Sequence, residues 1–255
     1  MIIQGVPIGT YSTDCPYISG NSFESENILM KSIDGEGLDY LLSYGFRHFG
    51  QHFFRPICTD CHQCIPIRVS VRDFAPSRSF KRVYAKGRNL RYIIGHPEPT
   101  EEKFVLYQAH TERFEEKDTV TYESFVESFF HPFPFSRELR IYDGHRLIAV
   151  SHYDTASTSL SAVYCYWDVK ASDYSPGTLA ILKELEIARE QALSWVYLGY
   201  FVPENKHMNY KARFRPNEVL LSEERWVPFY QNRNRNCDPV ILQQGFQAFG
   251  RLVWE

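Results

Sequence analysis

The pattern of apolar and polar positions changes period along the chain. From residue 138 it is two. "LRIYDGHRLIAVSHYDT" predicts two strands joined at Asp143-Gly144, a dipeptide suited to a tight hairpin, and "SLSAVYCYWD" predicts a third strand. The period then becomes helical. "SPGTLAILKELEIAREQAL" sets Leu179, Ile181, Leu182 and Leu185 at helical spacing and predicts the clearest helix of the chain, followed by a strand, "WVYLGYFV". Upstream, residues 1–30 read as irregular, being rich in Gly, Pro and Ser. "GEGLDYLLSYGFR" predicts a short helix with Leu38, Leu41 and Leu42 inward, stopped by Gly45. "HFGQHFFRPI" predicts one strand and "CIPIRVSV" another, so the cysteines between them sit on a strand-to-strand loop. Helices are predicted over 101–116, with acidic residues at the positive end of the helix dipole, and over 121–130.

The order strand, strand, strand, helix, strand matches the core of an acyl-transfer fold of the N-acetyltransferase type, where a helix opens beside a splayed pair of strands. The expected class is α+β: a mixed sheet flanked by helices, with a small cysteine-containing N-terminal module. "GHPEPT" (95–100) is turn-rich and marks the expected junction, giving a module over 1–98 and a transfer domain over 99–255.

Composition adds bounds. At 44% hydrophobic and 23% charged residues the chain is ordinary for a globular protein with a real core. A net charge of -3 rules out a polycation, so any nucleic-acid contact must come from a local patch. No apolar run reaches the length of about 18 residues that a spanning helix needs, and the start lacks the marks of a secretory signal. The expectation is a cytoplasmic protein without a membrane partner, in a compartment where clustered thiols bind metal or do redox chemistry more often than they form disulfides.

Four features carry candidate chemistry. Cys58-x-x-Cys61-x-x-Cys64, with Cys15 as a fourth thiol, is a donor set that suits zinc or an iron–sulfur cluster; the plain alternative is a group of packed, unligated thiols. Cys165 reads as core and Cys237 as a free thiol. "PSRSFKRVYAKGRNLR" sets Arg78, Lys81, Arg82 and Lys86 on one face if helical, with Phe80 and Tyr84 interleaved. No acidic residue occurs from 74 to 97, the footprint of a phosphate-binding face rather than of an ordinary solvated one. "GYFVPENKHMNYKARFRP" follows a strand, and the cations of "KARFR" (Lys211, Arg213, Arg215) would share one side if extended; a basic edge strand would look the same. Asp168 closes the strand "YCYWD", as a cap or as a carboxylate at a strand end. "SPGT" could offer free N–H groups to an anion, as any helix start does. The nine histidines show no metal spacing and receive no role.

Together, "YGFRHFGQHFFRPICTDCHQCIPIRV", "FAPSRSFKRV", "SAVYCYWD", "SPGTLAILKELEIARE" and "YLGYFVPENKHMNYKARFRP" resemble the arginyl-tRNA–protein transferase family, in particular its bacterial branch, over residues 13 to 230. The resemblance implies transfer of an aminoacyl group, leucine in this branch, from charged tRNA to the N-terminal amine of proteins beginning with Asp or Glu, which marks them for N-degron degradation. It implies a fold related to N-acetyltransferases. It also implies that the cysteines form a structural or regulatory clip rather than an acyl-carrying nucleophile. Eukaryotic relatives carry a C-x-x-C near the N-terminus that is linked to an iron–sulfur cluster; here Cys15 is kept and Ile18 stands in the second place.

Aminolysis of an ester is downhill, so the transfer needs no ATP and no cofactor. Asp168 and Tyr200 are the expected acid/base groups. Lys211, Arg213 and Arg215 are expected to bind the acceptor's carboxylate. Arg78, Lys81, Arg82 and Lys86 are expected to hold tRNA phosphates, with stacking on Phe80 or Tyr84. Two rival readings stand beside this one: an acetyl-CoA-dependent N-acetyltransferase, and a non-catalytic tRNA-binding module.

Overall fold

The structure is a computed structural model and describes residues 1–114, 120–230 and 239–247. It is a mixed α+β protein with two sheets. A four-stranded antiparallel sheet holds β1 (Ile3–Asp14), β2 (Ser22–Ile33), β3 (Arg47–Phe49) and β4 (His52–Pro56) in the order β1-β2-β4-β3. The second sheet adds β5 (Ile65–Ser70), β6 (Arg91–Gly95), β7 (Ser136–Asp143), β8 (Arg146–Thr155), β9 (Ser159–Trp167), β10 (Trp195–Phe201), β11 (Asn217–Leu220) and β12 (Trp226–Tyr230). Its order is β12-β11-β5-β10-β9-β8-β7-β6.

Strong periodicities give the expected elements. Helix α1 (Gly35–Ser43) buries Leu38, Leu41 and Leu42 and is capped by Asp34, whose side chain accepts from the Gly37 N–H. It ends at Gly45, whose φ of +84° is left-handed. Helix α2 (Arg78–Gly87) is capped by Ser77. Helices α3 (Glu101–Thr111) and α4 (Tyr122–Phe129) follow. Helix α5 (Pro176–Glu190) crosses from β9 to its parallel neighbour β10 and buries Leu179, Leu182 and Leu185. The Asp143-Gly144 turn joins β7 to β8, and β8 is buried along nearly its whole length, as a strand covered on both faces should be. Cys165 packs against the main core as expected; Cys237 lies outside the described residues.

Three expectations are corrected. Residues 1–30 are not irregular: β1 and β2 form a long antiparallel ribbon. Strand β1 is almost wholly exposed and carries Gly5, Pro7 and Gly9, so it lacks the alternation that marks a half-buried strand, and proline is tolerated on its open edge. "HFGQHFFRPI" is two strands, because Gly50, with φ of +52°, turns β3 back onto β4. The junction at 95–100 does not separate the sheets. Strand β5 lies between β10 and β11, and β6 pairs with β7, so residues on both sides of position 98 build one sheet.

Within the small sheet Arg55 is fully buried and its Nε donates to Glu26 at 2.7 Å. A buried polar contact ties the two sheets: His48 of β3 meets Asp154 of β8 at 2.7 Å. At the surface Asp39 of α1 accepts from the Thr158 N–H at 2.7 Å.

Candidate active site

The large sheet opens between β9 and β10. Strands β9 and β10 pair in parallel at Trp195–Ser159, Val196–Leu160 and Tyr197–Ser161, and pairing stops there although β9 runs on to Trp167 and β10 to Phe201. Beyond Ser161 the side chain of Arg47 enters the gap from β3. One guanidinium nitrogen donates to Ser161 Oγ at 2.8 Å and another to the Ala162 carbonyl. Gly199 of β10 faces this group with a left-handed φ of +80°; a Cβ there would lie 3.3 Å from Arg47 Nε and 3.5 Å from Lys211 Nζ. Arg47, Cys165 and Tyr210 are densely surrounded by protein yet keep part of their surface open to solvent, as residues at the bottom of a crevice do.

Two titratable groups of the crevice are strongly displaced. Lys211 is buried, and its Nζ donates to the Tyr200 carbonyl at 2.9 Å. Burial, helped by the charge of Arg47 and opposed by Cys64, pulls its pKa down to about 7. Glu184 of α5 is fully buried, and Ser151 Oγ donates to its Oε1 at 2.7 Å while Oε2 has no partner among the described residues. Burial outweighs that hydrogen bond and Arg47, and pushes its pKa up to about 8. Displaced acids and bases beside a fixed cation in a cleft mark a functional site.

The expected site residues fare differently. Tyr200 lies at the crevice, but its hydroxyl is buried and donates to the Gly45 carbonyl at 3.0 Å, and burial raises its pKa well above the ordinary value, so it is no base. Asp168 accepts from the Lys170 N–H at 2.8 Å and lies 3.6 Å from Arg146, the place of a turn cap. "KARFR" is not extended: Asn209–Arg213 is a short 3-10 helix, which scatters its cations. Lys211 points into the crevice, Arg213 lies over the Phe80 ring, and Arg215 lies over Tyr230 while its Nε donates to the Ala212 carbonyl. On α2, Arg78, Lys81 and Arg82 are exposed, and Lys86 donates to the Asp173 carbonyl at 2.8 Å. Phe80 is 1% exposed and stacks on Phe214, so it offers no face to a base; the Tyr84 hydroxyl donates to Leu182.

The cysteines adjoin the crevice. Cys64 is buried beside Tyr200, with Tyr17 and Met208 packed on the same cluster. Burial raises the Cys64 thiol most, with Cys15, Cys58 and Cys61 adding to it, so the four thiols share a neighbourhood. Cys58 Sγ accepts from the Glu24 N–H and Cys15 Sγ from the Ile18 N–H. By chemistry four thiols are a donor set that suits zinc or an iron–sulfur cluster, but among the described residues no three His, Cys, Asp or Glu side chains are grouped so as to hold a metal ion.

With this geometry in view, the chain can be placed among known proteins. It matches "Arginine-tRNA-protein transferase, N terminus" over residues 13–82 and "Arginine-tRNA-protein transferase, C terminus" over 102–221. The chain belongs to the arginyl-tRNA–protein transferase family. Within it, an aspartate/glutamate leucyltransferase of Campylobacter jejuni is 32% identical over 220 residues, covering 83% of this chain and 91% of its own. Another, from a Shewanella species, is 35% identical over 216 residues, covering 82% and 89%. The crystal structure of FemX aligns over 78% of this chain and 81% of its own with 10% identity and a TM-score of 0.46, a likeness too distant to bear on the site.

Glu184 gives the site a measurable pH dependence. Its ordinary pKa is 4.5 and its folded value about 8. Between them the folded state holds the proton and the unfolded state does not, so the stability it lends is present at low pH and is lost as pH rises through 8. Glu184→Gln keeps an acceptor for Ser151. Its melting temperature should therefore rise relative to wild type between pH 5 and pH 8.5, at about 1.4 kcal/mol per unit of displacement. A difference that stays constant between the two pH values would mean that Glu184 is already ionised in the fold at neutral pH.

Proposed function

We propose that this chain is an aminoacyltransferase that moves leucine from charged tRNA to the N-terminal amine of proteins beginning with Asp or Glu. The reaction is placed in the crevice between β9 and β10. The observation that carries the reading is the Arg47 guanidinium set in the gap between β9 and β10, with the Lys211 amine held on the Tyr200 carbonyl of β10, in a member of this family. The names of the relatives support leucine as donor and acidic N-termini as acceptors. The splayed parallel pair crossed by α5 supports an N-acetyltransferase-like arrangement of the site.

The acceptor amine attacks the ester carbonyl. A C–N bond forms, the C–O bond to the tRNA ribose breaks, the amine gives up a proton and the ribose oxygen gains one. An N-terminal amine has a pKa of about 7.7–8.0, so a useful fraction is already neutral at pH 7. The main work is to hold amine and ester together and to stabilise the oxyanion. Lys211, near half-ionised at neutral pH, takes the proton from the amine and returns it to the leaving oxygen. Arg47 supplies a charge that cannot be titrated away. These two replace Asp168 and Tyr200 in our assignment. Arg78, Lys81 and Arg82 on α2 form the tRNA face, an exposed single-sign surface without an acidic residue in the helix's first turn. Cys15, Cys58, Cys61 and Cys64 are the residues that would hold zinc or an iron–sulfur cluster as a clip beside the crevice.

Three experiments test this. Incubated with leucyl-tRNA, peptides beginning with Asp and Glu should gain the mass of one leucine, and a Lys-initiated peptide should not; acetylation from acetyl-CoA, or no product from any donor, would overturn the transfer reaction. The triple variant Arg78→Ala, Lys81→Ala, Arg82→Ala should flatten the logarithmic salt dependence of tRNA binding by about 2, a slope change set by roughly 0.7 per lost phosphate contact; an unchanged slope removes α2 from the tRNA surface. For the clip, elemental analysis of protein purified without oxygen or chelators should find iron or zinc that Cys64→Ser loses, whereas metal-free protein with four titratable thiols would dismiss it.

A further inference from the structure

The reaction proposed above leaves one recognition element without a residue. An acceptor that begins with Asp or Glu brings a carboxylate into the crevice mouth, and that charge needs a cation which stays charged and holds its geometry. The cations first expected for this task do not suit it. Lys211 is buried and gives its hydrogen bond to Tyr200, while Arg213 and Arg215 lie against Phe80 and Tyr230. Arg47 is committed to Ser161 and Ala162.

Arg113, just past the end of α3, answers the description. Its guanidinium carbon lies 4.7 Å above the Trp167 ring and 4.9 Å above the Phe114 ring. Its Nη2 stands 2.8 Å from His110 Nε2. His110 is 1% exposed, and burial together with Arg113 pulls its pKa down to about 4, so the ring is neutral. His110 Nδ1 accepts from the Trp167 N–H at 2.9 Å and lies 3.1 Å from the Trp167 carbonyl, so the ring bridges Arg113 to the backbone of Trp167. The arginine is thus clamped by two aromatic rings and one imidazole, yet its side chain is exposed and has no carboxylate partner among the described residues.

Its location is the mouth of the opening. Phe114 packs edge-on against His207, 6.0 Å between centroids, which joins the end of α3 to the loop after β10. Tyr164, Cys165 and Tyr210 of the crevice all feel the charge of Arg113. A clamped guanidinium spends little conformational entropy on binding, and its remaining N–H donors form the fork that matches a carboxylate.

We infer that Arg113 is the specificity-determining residue that reads the side-chain carboxylate of the acceptor's first residue. The deciding experiment measures equilibrium binding of two peptides that differ only in beginning with Asp or Asn, without tRNA, to wild type, Arg113→Ala and Arg113→Lys. Wild type should bind the Asp peptide about 10–100-fold more tightly, the usual range for a charge pair that becomes partly desolvated. Arg113→Ala should erase that preference and Arg113→Lys should keep only part of it. In transfer assays Arg113→Ala should raise the KM for the Asp peptide by a similar factor, with kcat at saturating peptide within a few-fold of wild type and leucyl-tRNA binding unchanged. Arg113→Ala loses contacts to Trp167, Phe114 and His110 and should melt somewhat below wild type, so binding is compared well below both melting temperatures. A preference that survives in Arg113→Ala, an absence of preference in wild type, or loss of tRNA binding with selectivity kept would each overturn the assignment. Should wild type transfer leucine to no peptide, the reaction would be misassigned, and the binding comparison would still decide the role of Arg113.

Discussion

The insertion of Arg47 between β9 and β10 is the constraint on which the rest of the site depends. In a closed sheet the Ala162 carbonyl would accept from a β10 N–H; here it accepts from a guanidinium that comes from the other sheet. A buried carbonyl left without a donor costs about 1–3 kcal/mol, and Arg47 removes part of that cost at the half-buried Ala162. Gly199 makes room on the opposite strand, at a shift in register between β10 and β5, where any side chain would crowd Arg47 and Lys211. The guanidinium itself loses solvent there, and its hydrogen bonds to Ser161 and Ala162 offset part of that cost.

A permanent cation in a confined space sets the charge states around it. Arg47 disfavours a second cation and favours a carboxylate, so both effects act on known groups. For Lys211 the cation and burial work in the same direction, and the amine falls to a value near neutrality. For Glu184 they oppose each other, and burial wins. The crevice therefore holds one fixed charge and two groups poised between states, which suits proton transfer better than three full charges would. It also explains the division between lysine and arginine: a buried ammonium can surrender its proton and a guanidinium cannot.

Much of this was legible in the sequence where one physical signal dominated. The β7–β8 hairpin, β9, α5 and β10 follow from clean periodicities and a strong turn dipeptide. Strand β1 was missed because an exposed edge ribbon has no buried face to alternate. Glu184 received no role from the sequence, although Ile181, Glu184, Leu185 and Ala188 share the i, i+3, i+4, i+7 face, and an acid on an apolar face was the available clue. "KARFR" misled because alternation implies a common side only in an extended chain, and this stretch curls. Arg47 could not have been found by local pattern: its partners are more than a hundred residues away, and only the assembled sheet shows the gap it fills. His110 and Arg113, three positions apart, carry a helical spacing but no sign that Trp167 would lie beneath them.

The two segments matched by the family, 13–82 and 102–221, are not separable working parts. Arg47, Tyr17 and Cys64 come from the first, and Lys211, Glu184, Tyr200 and Tyr210 from the second. Strand β5, in the first half, is an interior strand of the large sheet and pairs with both β10 and β11. Removing it would expose the hydrogen-bonding edges of both strands and strip Ile65, Ile67 and Val69 from the core. The same segment carries the cysteine loop on its leading side, so anything that reshapes that loop pulls on a strand hydrogen-bonded to β10. The path from the thiols to Lys211 is then short and packed: Cys64 to Tyr200, whose carbonyl holds the Lys211 amine. A clip at the cysteines would act on the site by fixing where that carbonyl lies, and with it the direction in which the amine can exchange a proton.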